Sequence, residues 1–287
     1  MMHFLHYPLS TIRNPQSVIR NPILILHGRW GSSASWTKIG QWLADAWHDV
    51  RIPDLAGHGQ TPLPHPYTID DYTADVVDFI ENEIQNSKFK IQNNGKETNS
   101  PTPQQVAGQA HQITKSLIIA HSNGGRIALH LAATHPDLVD QLILVNSAGI
   151  DLSYDPSRYR TIKRVIFPSI ARLCKKITPR KLQWLLYRLL GGHDYLATAH
   201  DTSLRETFVT MLHTYVENDM TNIDTQTIPT TLIRWWRDSY TPLRQGKRMH
   251  HLIAWSKLIV YPHEKHGIHL HNPTLLIKKL KELIDRR

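Results

Sequence analysis

The stretch Ser116–Arg126, SLIIAHSNGGR, decides the fold. Leu117 to Ala120 is a continuous apolar run, as expected of a strand covered on both faces. It leads straight into Ala120-His121-Ser122-Asn123-Gly124-Gly125. From Gly124 to Ala133 the apolar positions Ile127, Ala128 and Leu131 take helical spacing, and His135-Pro136 closes the run. A serine in so sharp a strand-to-helix turn adopts strained backbone and presents its hydroxyl. The positions two before and two after it must be small, because the two backbones pass close there. Gly124 satisfies this, and Ala120 carries one extra methyl. The first N–H groups of the helix lack intrahelical partners and point toward the serine, which suits the Asn123 amide to a developing oxyanion. The same residues also admit a plainer reading, an ordinary turn with an N-capping serine.

Outward from this turn, apolar runs alternate with amphipathic stretches, the pattern of an α/β fold with a parallel sheet. Strands are expected at Ile23–Leu26, Val50–Ile52, Leu142–Val145, Leu232–Ile233 and Leu258–Tyr261. Helices are expected over Trp36–Ala46, Thr68–Gln85 and a last one opened by Asn272 as N-cap and Pro273 at its first position. Two segments break the alternation. Residues 86–111 are polar, rich in Asn, Gln, Thr and Pro, and read as a flexible surface insertion. Residues 151–227 read as consecutive helices, a lid-like insertion after the strand ending near Val145, leaving 1–150 and 228–287 as the core.

Four stretches then resemble the motifs of the α/β-hydrolase superfamily, in its lidded serine esterase and lactonase branch. Ala120-His121-Ser122-Asn123-Gly124 resembles the nucleophile turn, and Leu26-His27-Gly28-Arg29-Trp30-Gly31 the oxyanion loop. Pro229 to Pro242, PTTLIRWWRDSYTP, resembles the strand and loop of the acid, with Trp235 where glycine is usual. Pro262 to Pro273 resembles the histidine loop, with Lys265 replacing a glycine and His271 an acid. The resemblance implies a mostly parallel sheet of about six to eight strands with helices on both faces. It implies Ser122 as nucleophile, His266 as base and Asp238 as acid, in the chain order of the superfamily. Asp151, after the preceding strand, is the alternative acid. The oxyanion donors are then the Asn123 amide and that of Arg29, with the Trp30 amide as the alternative. Asp54-Leu55-Ala56-Gly57-His58-Gly59 resembles a structural turn of the family, and His27 reads as a structural histidine.

The implied activity is cleavage of a carboxylic ester or lactone through an acyl-enzyme, with no cofactor. An acyl-homoserine lactone is one substrate of that kind. A carbon–carbon bond hydrolase, thioesterase, amidase or ligand receptor on the same fold is the alternative. Trp30 and His121, with Trp184, Phe208 and Met211 of the lid, are the expected substrate contacts, suited to an apolar acyl part. His263, His266, His269 and His271 lack the helical pairing of a zinc motif, so no metal site is assigned.

Composition bounds the remaining choices. The chain has 287 residues, 40% hydrophobic and 20% charged, enough to bury a large core. No apolar run approaches the ~18 residues of a membrane span, and Met1 to Ser10 carries no secretory pattern. A single cysteine, Cys174, excludes a disulfide framework within the chain, and a cytoplasmic location is expected. The net charge is +9, yet Pro156 to His193 alone holds ten Lys or Arg with no acid. These cations suit a solvated helix face or weak association of the lid with anionic lipid. No nucleic-acid module is present, so no nucleic-acid partner is expected.

Overall fold

The computed structural model describes residues 1–8, 21–85, 115–151 and 201–284. The expected polar insertion, Trp184 and the ten cations of residues 158–188 lie outside them. The chain divides into two compact units. One holds Met1–Pro62, Ile69–Ile150 and Tyr215–Arg287, the other Leu63–Thr68 and Asp151–Thr214.

The first unit is built on a seven-stranded sheet. Its strands are β1 (Phe4–Tyr7), β2 (Ile23–Leu26), β3 (Val50–Pro53), β4 (Ser116–His121), β5 (Val139–Val145), β6 (Thr230–Trp235) and β7 (Lys257–Tyr261). Their order is β1-β3-β2-β4-β5-β6-β7, parallel throughout except that β1 runs antiparallel to β3. β1 has no counterpart in the sequence reading. FLHY is short and only partly buried, which is the weak signature of an edge strand.

Alternation along the central strands sorts the core. Ile23, Ile25, Leu117, Ile119, Ile143, Val145, Ile233 and Trp235 pack with Trp36, Ile39, Leu43, Leu276 and Leu280 on one face. Those partners come from a 3-10 turn (Ser33–Trp36) with α1 (Thr37–Asp45), and from α8 (Pro273–Ile284). On the other face lie α2 (Ile69–Phe79), α3 (Asn123–Thr134), α5 (Glu217–Asn222) and α6 (Leu243–Leu252). His130 of α3 ties this layer together, reaching Asp219 at 2.8 Å and Asp70 at 3.0 Å. α2 passes into a π-helical turn at Ile80–Gln85, so the expected single helix over 68–85 changes its winding there. Asn272 caps α8 as expected, accepting the Leu275 N–H at 3.2 Å.

α5 falls inside residues 151–227 but packs on α3 and α6 in the first unit, so the chain returns to the core at Tyr215. The described helix of the second unit is α4 (Thr202–His213). Its cap is Asp201, whose carboxylate accepts the Leu204 N–H at 2.9 Å. In the same unit the Tyr67 N–H donates to the Thr207 hydroxyl at 2.7 Å. Met211 is buried and Phe208 half-buried there.

The chain leaves β2 for β3 on one side and returns to β4 on the other. The carboxyl edge between β2 and β4 is therefore a switch point, where loops diverge and leave a crevice. Helix and strand must approach closely to build it. A methyl on Gly124 would overlap the carbonyl oxygens of Leu26 and His27, both backbone atoms that cannot rotate away. Gly124→Ala is expected to lower unfolding stability by about 2–3 kcal/mol, read from urea midpoints. A midpoint equal to wild type would show that the approach is looser than described.

Candidate active site

Each parallel strand delivers one loop to this edge. β4 ends at His121, and Ser122 follows at φ 52° and ψ −115° before α3 begins. A conformation this rare costs about 1–3 kcal/mol and persists only when over-determined. Here the Ser122 N–H donates to the Val145 carbonyl at 3.3 Å, while its own carbonyl accepts from Ala148 at 2.9 Å and Gly125 at 3.1 Å. Gly28 lies so close that a methyl on it would come within 2.9 Å of Ser122 Cβ and 2.7 Å of His121 Nδ1. The loop after β2 thus runs directly past the serine.

Three side chains distant in sequence converge. His266 Nε2 is 2.9 Å from Ser122 Oγ, and His266 Nδ1 is 2.7 Å from Asp238 Oδ2. The structure brings Asp238, rather than Asp151, to the imidazole. The acid is 3% exposed. Its Oδ1 accepts the Tyr240 N–H at 2.8 Å and the Thr241 N–H at 2.9 Å, and its Oδ2 lies 2.7 Å from the Thr241 hydroxyl. Burial works against the charge, but the His266 hydrogen bond, the His266 charge and the Thr241 donors outweigh it. They hold the carboxyl below the usual range. An ionised acceptor at Nδ1 fixes the proton there and leaves the Nε2 lone pair toward Ser122.

Three further buried residues support this arrangement: Asn146, Arg234 and Thr241. Asn146, fully buried at φ 45°, ties three loops together. Its side chain donates to the His266 carbonyl at 3.3 Å and accepts the Trp235 N–H at 3.2 Å, and its own carbonyl accepts the Thr241 hydroxyl at 3.0 Å. Arg234, also fully buried, runs beneath α6 and reaches the Thr241 carbonyl at 3.4 Å. Burial lowers its pKa to about 10, against the pull of Asp238, so it stays cationic at neutral pH. A hydroxyl three residues after an acid is a turn signal that sequence alone offers for Thr241. Asn146 has no such signal, because its partners arrive from β6 and the histidine loop.

His121, expected to contact substrate, stands at the end of β4. Its ring is buried, its Nε2–H donates to the His266 carbonyl at 2.9 Å, and it packs 4.7 Å from the His266 ring. As the last residue of β4 it follows the strand's alternation into the core, on the face opposite Ser122. Behind it, His269 stacks on Trp36 at 4.6 Å, while His263 and His271 are exposed. Among the described residues no group of three or more His, Cys, Asp or Glu is arranged to hold a metal ion. Trp30, at φ 61°, is about half exposed. Tyr240 lies over the catalytic-side ring, 5.1 Å from that of His266.

The start of α3 is cationic. Arg126 donates to Asn123 Oδ1 at 2.9 Å. Burial, reinforced by the charge of Arg29, lowers its pKa to about 10, which still leaves it charged at neutral pH. His27 is structural, as its sequence context implies. Its Nδ1–H donates to the Gly28 carbonyl at 2.8 Å, and its Nε2 accepts the Leu55 N–H at 3.0 Å.

Three rings around the site are held neutral. Burial, with His58 adding to it, lowers His27 to about 3; burial, with His266, lowers His269 to about 4. His121 is pushed well below its ordinary value by burial, then by His269 and His266. Each takes up a proton more readily when unfolded. The stability they contribute is complete above about pH 6.5 and is lost as pH falls toward the folded values. Between pH 7 and pH 5 this amounts to about 2 kcal/mol for each of His27 and His269. Urea titrations at the two pH values are expected to differ by about 4 kcal/mol or more. Equal stabilities would mean that the rings are hydrated or paired when charged.

A family model described as the alpha/beta hydrolase family matches residues 23–278. The chain belongs to this family. Its relatives include Lipase LipV of Mycobacterium tuberculosis, 27% identical over 140 residues, which cover 49% of this chain and 41% of that protein. The chain spans about half or less of the curated relatives it matches, from 29% to 52% of their lengths. Among solved structures, an esterase from Thermogutta terrifontis superposes with a TM-score of 0.63 at 15% identity, over 99% of this chain and 93% of that one. Est816, described as an N-acyl homoserine lactone degrading enzyme, superposes with a TM-score of 0.62 at 15% identity, over 98% and 96%. Both likenesses show the fold. Among the described residues no helix is long and apolar enough to cross a membrane.

Proposed function

We propose that this chain hydrolyses carboxylic esters or lactones through a covalent acyl-enzyme on Ser122. The observation that carries the reading is the continuous Ser122–His266–Asp238 hydrogen-bond chain, ended by a buried and fully bonded carboxylate. His266 Nε2 takes the Ser122 proton as Oγ attacks the carbonyl carbon. Asp238 holds the tautomer and stabilises the imidazolium. The amides of Arg29 and Asn123 receive the oxyanion, in a field made favourable by Arg126. The intermediate collapses, His266 protonates the leaving alkoxide, and a water deprotonated by His266 then releases the acid and restores Ser122. A lipase among the relatives supports an ester as substrate, and Est816 among the structural neighbours makes lactones worth including in the panel.

The test combines a fluorophosphonate probe with a panel of p-nitrophenyl esters of rising chain length, thioesters, amides and acyl lactones. Stoichiometric labelling at Ser122 and turnover of esters or lactones are expected. Absence of labelling on folded protein would overturn the acyl-enzyme. Labelling with turnover confined to amides or thioesters would keep the nucleophile and overturn the substrate class.

A further inference from the structure

The turn that carries the chain from α6 into β7 sets a large aromatic residue where the fold gains nothing from it. Trp255 has φ 59°, the left-handed region that favours glycine at the end of a helix, and is 90% exposed. Its backbone is strained and its indole is almost unpacked, so neither helps the chain to fold.

The surroundings have one chemistry. α6 buries Gln245, Gly246 and Met249 against the unit and turns Lys247, Arg248, His250 and His251 outward. No Asp or Glu occurs between Leu243 and Lys257. Lys247, His250, His251, Ala254, Trp255 and Ser256 line a shallow open groove. Among the described residues, Glu217 and Asp224 are acids near this corner. Glu217 is taken up by Arg248 at 3.5 Å, and Asp224 accepts the Gln226 N–H at 2.9 Å in the turn whose Thr225 hydroxyl donates to the Ala254 carbonyl. Trp47 supplies a comparison within the molecule. It has φ 64°, but it is only 45% exposed and stands between Asp45 and Asp49.

We propose that the α6–β7 corner docks the chain on an anionic lipid surface. An indole is amphipathic and prefers the boundary between headgroups and acyl chains. Cations beside it gain from an anionic leaflet, each lysine strengthening partitioning about fivefold. A flat partner fits a shallow groove better than an enclosed small ligand does. A lone indole lacks the row of stacking rings that single-stranded nucleic acid uses. The corner precedes β7 and so lies at the strand-start edge, opposite the carboxyl edge of Ser122, which docking leaves open. The inference does not depend on the hydrolytic reading.

The test is co-sedimentation of the full chain with phosphatidylcholine vesicles, with and without phosphatidylglycerol, at fixed salt. Binding only to the anionic vesicles is expected for wild type. Trp255→Gly should weaken it about tenfold while leaving the thermal midpoint unchanged or raised, since glycine relieves the strain; loss of fold then cannot explain loss of binding. Lys247→Glu with Lys257→Glu should weaken it at least as much, and Trp47→Gly should not. Absence of wild-type binding overturns the proposal, as does equal binding by the Trp255 and lysine variants, which would assign the affinity to residues 158–188. Capture of polyuridylate that depends on Trp255, with vesicle binding unaffected, overturns it in favour of nucleic acid.

Discussion

Ser122→Ala is expected to reduce turnover of a short p-nitrophenyl ester by about a million-fold, the scale on which loss of a triad nucleophile acts. The substitution removes one oxygen and leaves its surroundings in place. The His266–Asp238 bond at 2.7 Å does not depend on the serine, nor do the main-chain bonds that hold residue 122. Thermal unfolding should therefore change little. What remains is the oxyanion site alone, which still favours attack by water to a small extent. Initial rates over a range of ester concentrations, with mass-spectrometric detection of the acyl adduct on wild type, supply the measurement. Turnover within tenfold of wild type would remove the covalent mechanism, whatever the fold.

Asp238→Asn is expected to cost about ten-thousand-fold in kcat with nearly unchanged stability. The hydrogen bonds dictate this outcome atom by atom. Two main-chain N–H donors, from Tyr240 and Thr241, converge on Oδ1, so the asparagine oxygen must take that position. Its NH2 group then faces His266 Nδ1 and the Thr241 hydroxyl, which can turn its proton to the Asn146 carbonyl at 3.0 Å. Every group keeps a partner, which is why the fold survives. His266 is forced into the other tautomer, with a proton on Nε2 facing Ser122, and can no longer accept one. A loss below tenfold would mean that another acid, Asp151 first, serves the imidazole.

The acid side of the site shows why some of it was legible and some was not. Ser122 announces itself because strand, turn and helix are all local, and the crowding that demands Gly124 acts within a few residues. Asp238 and His266 enter through the resemblance of their stretches to the family's motifs, and the fold sets their side chains 2.7 Å apart. His121 follows its strand into the core, whereas its neighbour Ser122 projects from the turn. Asn146 carries no signal in the sequence. Its role depends on Trp235 and Thr241, from β6 and the loop that follows it, meeting His266 of the histidine loop, and no spacing along the chain encodes that meeting. Nor does the sequence assign α5 to the first unit, since a short amphipathic helix does not say which surface will cover it.

By itself, the sequence determined the α/β alternation, the parallel strands, the serine turn and the uneven placement of positive charge. These rest on period, run length and local sterics, which act between near neighbours. Only the tertiary structure decided which acid meets the imidazole, which histidines are buried neutral, and that Trp255 stands exposed in strained backbone. Those outcomes depend on desolvation and on hydrogen bonds between residues far apart in the chain, and neither exists until the sheet has assembled.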